Sequence, residues 1–158
     1  MTQAPDSAAD DALDTLIATH RDRPGALLPL LHDVQHALGC VPADAVPRIA
    51  AALNLSRAEV HGVVTFYADF RTTPPARRVV KLCMAEACQA RGGHAAAARL
   101  SAATGLAMGE TAADNALALE PIYCLGLCAS GPAALVDDVP VARLAGVRLD
   151  ALAAELGR

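Results

Sequence analysis

A chain of 158 residues that is 54% hydrophobic and 19% charged carries enough apolar material for one compact domain or two small ones, and gross disorder is not expected. A net charge of -4, with two Tyr, two Phe and no Trp, argues against a basic phosphate-binding surface and leaves few rings for base stacking, so nucleic acid is not an expected partner. No apolar run approaches membrane-spanning length, and no direct membrane insertion is expected.

The opening MTQAPDSAADDALD is acidic and has no apolar core, unlike a secretory signal or an Arg-rich transit peptide, so a cytoplasmic setting is expected. Residues 1–8 read as a frayed tail, and a first helix is expected over about 9–20 with Ser7 and Asp10 as a weak capping pair. In RPGALLPLLHDVQHALG, Pro24 marks a helix start and Gly39 its end, while Leu27, Leu31, Val34 and Leu38 recur on one face. His32 and His36 fall on the opposite side of that helix and read as solvated surface. ADAVPRIAAALNL predicts a third helix, and Ser56 with Glu59 forms a capping box opening a fourth, SRAEVHGVVTFYADF.

The texture changes at RTTPPA, which cannot continue a helix. Beyond it the sequence predicts a strand in RRVVKLCM, an alanine-rich helix over about 92–104, a strand over about 117–123, a strand pair around Asp137 and Asp138, and a last helix over about 147–156. The expected fold is therefore α+β: an N-terminal helical domain (1–75) followed by an α/β domain (76–158) in which helices cover one small sheet. That order agrees with a thioredoxin-like arrangement, but periodicity leaves the strand order open.

Five cysteines in a reducing compartment read as metal ligands or reactive thiols rather than as a disulfide framework, and the odd count leaves one over. Cys83 and Cys88 lie where a strand gives way to a helix, and Cys124 and Cys128 lie past the end of a later strand, in PIYCLGLCASGP. Two pairs on separate loops suit a cluster whose two irons each need two ligands. Four-cysteine zinc in an interaction module is the strongest rival, although such sites usually use two C-x2-C knuckles and the spacings here are x4 and x3. A thioredoxin-like disulfide enzyme is a second rival, but C-x-x-C is lacking. Spacing favours the two-iron reading and leaves zinc open.

C-x4-C and C-x3-C, taken with GVVTFY (62–67) and GETAADNALAL (109–119), resemble the thioredoxin-like [2Fe-2S] ferredoxin subunits of NAD-linked oxidoreductases over about residues 20–155. The resemblance implies a [2Fe-2S] cofactor with Cys83, Cys88, Cys124 and Cys128 as ligands, no catalytic residue in this chain, and single-electron transfer within a complex. It also implies a neighbouring diaphorase subunit carrying FMN and iron-sulfur centres, and through it a catalytic subunit. The CMAEACQARG segment is most similar to the gamma subunit of NAD-dependent formate dehydrogenase, with the equivalent subunits of NADH:quinone oxidoreductase and NAD-linked hydrogenase as the alternatives. The chain departs from the pattern at Asn115, where Gly is frequent, and at Cys40, where an aromatic residue is usual.

Such a cluster carries a charge of about -2 that becomes about -3 on reduction, so backbone N–H groups are expected to face the sulfurs. Gly126 and Gly131 are expected to admit that close approach with Pro132 fixing the loop exit, and Gly92 and Gly93 to do likewise or to serve as an ordinary turn. Phe66, Tyr67 and Phe70 are expected as core, as packing between the segments, or as anchors for a partner.

Overall fold

The computed structural model describes residues 7–157 and divides into two compact units, Met1–Pro74 and Pro75–Arg158. Unit 1 is made of α1 (Ser7–His20), α2 (Leu27–Leu38), α3 (Ala45–Ala52) and α4 (Arg57–Phe66). Ser7 and Ala8 are helical, so the expected tail is shorter than eight residues. Its remainder, and the Ser7 side chain needed for the expected cap, lie outside the described residues. Pro24 does not open α2: it sits in a turn with Gly25, and the helix begins at Leu27 after an Ala26 cap.

The apolar stripe of α2 does what its spacing dictates. Leu30, Leu31 and Val34 are buried, Leu27 and Leu38 pack half-buried beside them, and Ile49 of α3 with Val60 and Val64 of α4 complete the core. His32 and His36 are exposed, as a position opposite that stripe requires. Polar contacts then fix the helices laterally. Arg48 of α3 binds Asp10 and, at 2.6 Å, Asp14 of α1. Gln35 of α2 donates to the Asp69 carbonyl at 2.8 Å and accepts from the Arg71 N–H at 2.7 Å, tying down the chain that leaves α4.

The α4 capping box forms in full, with the Glu59 N–H donating to Ser56 Oγ at 3.2 Å and the Ser56 N–H donating to Glu59 Oε2 at 2.8 Å. Bonds from the Ser56 N–H first and its hydroxyl second hold the Glu59 carboxyl below its ordinary value. A depressed carboxyl pKa stabilises the fold above the unfolded value of about 4.3, and the contribution fades as pH falls through the folded value. Ser56→Ala is expected to destabilise unit 1 by about 1 kcal/mol, read as faster amide exchange in the first turn of α4.

Unit 2 has the order β1 (Arg78–Cys83), α5 (Glu86–Ala90), α6 (Gly93–Thr104), β2 (Leu117–Ile122), a 3-10 turn at Cys128–Ser130, β3 (Ala134–Val136), β4 (Val139–Val141) and α7 (Val147–Leu156). The sheet order is β2-β1-β3-β4, with β1 parallel to β2 and antiparallel to β3. Asp137 and Asp138 join β3 to β4 with φ of 50 and 63 degrees, the two left-handed positions that a two-residue hairpin turn requires. Asp137 is tied back to β1, where its Oδ1 accepts from the Val79 N–H at 2.8 Å and its Oδ2 from Arg78 at 3.0 Å.

Val80, Leu82, Leu117, Leu119 and Ala134 of the sheet share one core with Leu100 of α6 and Leu152 of α7. Asn115, just before β2, has φ 56 degrees. Asn tolerates the left-handed region better than other residues with a Cβ, which explains physically why Gly is the frequent alternative there.

Candidate functional site

The parallel pairing of β1 with β2 sets the site. Cys83, the last residue of β1, is in register with Ile122, the last residue of β2. Because parallel strands end on the same edge of a sheet, the loop that carries Cys88 and the loop that carries Cys124 and Cys128 leave side by side. The Met84 N–H donates to the Ile122 carbonyl at 2.8 Å, and the Cys83 N–H donates to the Ala133 carbonyl at 2.9 Å. Ala133 thus pins the far end of the second loop to the start of the first.

Local structure then orients the thiols. The short helix α5, for which the sequence gives no periodic signal, carries Cys88 back over the end of β1, with the Cys88 N–H bonded to the Ala85 carbonyl at 2.9 Å. In the second loop Cys124 and Gly126 have φ of 79 and 74 degrees, and the 3-10 turn presents Cys128 so that its Sγ lies 3.9 Å from Cys124 Sγ. All five cysteines are free thiols. Cys83 and Cys88 are buried, whereas Cys124 and Cys128 are exposed.

Burial pushes the Cys83 thiol up, but bonds from the Ala85 N–H, the Cys88 thiol and the Cys124 and Leu125 N–H groups bring it below the ordinary thiol value. Cys88 is raised by burial and by the adjacent Cys83, against one bond from the Ala133 N–H. The Cys128 thiol is raised first by its bond with Cys124. Both loops therefore send backbone donors to sulfur, and each such bond favours the anionic form of the sulfur it reaches.

Two glycines of the site stand at close approach to neighbouring atoms. A Cβ on Gly131 would stand 3.2 Å from Cys88 Sγ, and one on Gly93 would stand 2.9 Å from the Cys88 carbonyl oxygen. Gly126 departs from the expectation, and Gly92 takes the turn that is its alternative. Open space surrounds both, and their φ values of 97 and 74 degrees show that they serve backbone conformation rather than access to sulfur. Cys40 belongs to unit 1, where it is buried and its thiol is pushed up by burial and then by Asp44.

The family model for thioredoxin-like [2Fe-2S] ferredoxins matches residues 13–157. The chain belongs to the thioredoxin-like [2Fe-2S] ferredoxin family. It is 32% identical over 119 residues to a NADH-quinone oxidoreductase subunit of Pseudomonas aeruginosa, covering 75% of this chain and 72% of that subunit. It is 29% identical to the alpha subunit of the NAD-reducing hydrogenase HoxS of Cupriavidus necator, over 93% of this chain and 24% of that subunit. A crystal structure of an NAD+-reducing [NiFe]-hydrogenase in the air-oxidized state superposes with a TM-score of 0.70 at 32% identity, over 86% of this chain and 23% of the hydrogenase chain. The α+β architecture with a thioredoxin-like second unit is therefore that of the family.

The family cofactor is a [2Fe-2S] cluster, and the residues present fit it. Two thiol pairs stand on adjoining loops, backbone N–H groups already face Cys83 and Cys88, and Gly131 leaves a cradle beside Cys88 Sγ that a Cβ would fill. Gly93→Ala is expected to cost about 1–3 kcal/mol, since the added methyl meets rigid backbone. Urea unfolding of unit 2 checks this, with Gly92→Asn, which accepts the left-handed conformation, expected to cost less.

Proposed function

We propose that Cys83 and Cys88 hold one iron of a [2Fe-2S] cluster, that Cys124 and Cys128 hold the other, and that the chain relays single electrons inside an NAD-linked multisubunit oxidoreductase of the cytoplasm. The observation that carries this reading is the β1–β2 register, which delivers two thiol pairs, rather than four independent thiols, to one edge of the sheet. When bound, the cluster supplies a one-electron couple. The chain's own contribution is to place four thiolates, to lower the charge penalty with N–H dipoles from Ala85, Leu125 and Ala133, and to keep Cys83 and Cys88 away from water.

A four-cysteine zinc module is the rival, and the x4 and x3 spacings, wider than those of paired C-x2-C knuckles, favour the two-iron reading over it. In the purified chain about two irons and two acid-labile sulfides are expected, with a red-brown colour. One zinc and no iron would overturn the reading. Serine at position 83, 88, 124 or 128 is expected to abolish or strongly destabilise the cluster. Cys40→Ser is expected to leave the visible and electron paramagnetic resonance spectra unchanged, since Cys40 packs in the helical unit among residues that offer no second thiol.

The similarity to the NADH-quinone oxidoreductase subunit and to the hydrogenase alpha subunit supports a place equivalent to those in NADH:quinone oxidoreductase or NAD-linked hydrogenase. The relatives thus favour the two alternatives over the formate dehydrogenase assignment that the cysteine segment suggests. The gamma subunit of NAD-dependent formate dehydrogenase is kept as a second reading on the strength of the Cys83–Gly92 segment alone.

The proposed partner is a diaphorase subunit with FMN and iron-sulfur centres, and the helical unit offers a surface for it. Phe66 is 80% exposed and Tyr67 43%, edge to face at 5.1 Å, beside a groove lined by Leu27, Leu55, Gly62 and Val63. Phe70 is not part of that surface, because it is buried in the unit 1 core. Phe66→Ala is expected to weaken binding to the diaphorase subunit about tenfold, or ~1.4 kcal/mol, while leaving the iron content unchanged. Undiminished co-purification of the partner would refute the docking role.

A further inference from the structure

Arg91 closes α5 and stands between the two cysteine loops. Its Nε–H donates to the Gly131 carbonyl at 3.0 Å. The position that a Gly131 Cβ would take lies 3.4 Å from Arg91 Cδ and 3.2 Å from Cys88 Sγ, so the arginine stem and the Cys88 sulfur pack against the same backbone atom. One guanidinium therefore joins the segment that carries Cys88 to the segment that follows Cys128.

The charge of Arg91, an exposed residue, is distinguished by its place beside the cysteine loops. Arg48, Arg78 and Arg99 each pair with a carboxylate. Among the described residues no carboxylate pairs with Arg91. Its positive charge is left uncompensated by protein beside a group of thiols whose deprotonation, and whose cofactor, bring negative charge. A cation held there favours the more negative state of its neighbour, and a guanidinium bonded to a carbonyl through one N–H keeps its remaining donors for other acceptors.

We propose that Arg91 is a positioning residue for the iron-sulfur centre: it ties the Cys88 loop to the Cys124–Cys128 loop through the Gly131 carbonyl, and its unpaired cation raises the reduction potential of the cluster. The proposal rests on the reading that Cys83, Cys88, Cys124 and Cys128 are the ligands. It assigns Arg91 two separable effects. Loss of the tie loosens the loops, and loss of the charge makes the added electron less favourable.

The test uses the purified full-length chain with Arg91→Gln, Arg91→Lys and, as a surface control, Arg99→Gln. Iron and sulfide content, the midpoint potential from a dithionite titration followed by electron paramagnetic resonance, and the rate of iron loss to a chelator are measured on each. Arg91→Gln is expected to shift the potential downward and to lose iron about tenfold faster, the size of one charge-assisted hydrogen bond. Arg91→Lys keeps the charge without the planar fork, so its potential is expected to stay near that of the wild type while iron is still lost faster. Arg99→Gln is expected to match the wild type in both. A loaded wild type with both Arg91 variants indistinguishable from it overturns the role of Arg91 alone. A wild-type chain that holds no iron overturns the ligand reading and this proposal together. If Arg91→Gln cannot retain iron, Arg91→Lys decides: faster iron loss at near wild-type potential supports the proposal, and a wild-type rate of loss overturns it.

Discussion

The register of two parallel strands governs this molecule's chemistry. Cys83 opposite Ile122 means that two loops separated by a whole helix and strand in sequence begin within hydrogen-bond reach of each other, and the Met84–Ile122 and Cys83–Ala133 bonds hold them there. A slip of one residue would turn every β1 side chain to the opposite face, burying Lys81 where Leu82 now sits. The hydrophobic core of unit 2 and the juxtaposition of the two cysteine loops are thus specified by the same alternation. Leu82 and Val80 at 0% exposure are as much determinants of the sulfur site as the cysteines are.

Electrostatics supplies the second constraint. Four sulfurs brought together resist simultaneous ionisation, and burial of Cys83 and Cys88 makes that resistance larger. The chain answers with backbone dipoles, to which the proposed Arg91 charge adds. Ala85, Cys124 and Leu125 turn their N–H groups to Cys83, and Ala133 turns its own to Cys88. The left-handed backbone at Cys124 and Gly126 bends the second loop into this shape. A cysteine in that conformation is strained, and such strain is tolerated where surrounding structure fixes it.

Much of this is legible in the sequence, for reasons that differ by element. The α2 stripe, the Ser56–Glu59 box and the Asp137–Asp138 turn are local signals, carried by residues within one or two turns of each other, and the structure reproduces them. The start of α2 is misplaced by sequence because Pro24 fits a turn as well as a helix start, and the following Gly25 takes φ 67 degrees, which no helix continues. The strand order and the Arg91–Gly131 bond are beyond the reach of periodicity, since both depend on contacts between residues far apart in sequence. Helix α5 escapes notice because five residues around one cysteine give no periodic pattern. Gly131 and Gly126 look alike in sequence, and only the space around each separates a glycine that admits a sulfur from one that merely turns the chain.

Whether these four thiolates hold a two-iron centre is decided by iron X-ray absorption on the purified full-length chain. A two-iron centre on these thiolates gives a first shell of sulfur alone around each iron, with scattering from one neighbouring iron. A shell containing nitrogen or oxygen, or iron with no iron neighbour, would contradict it.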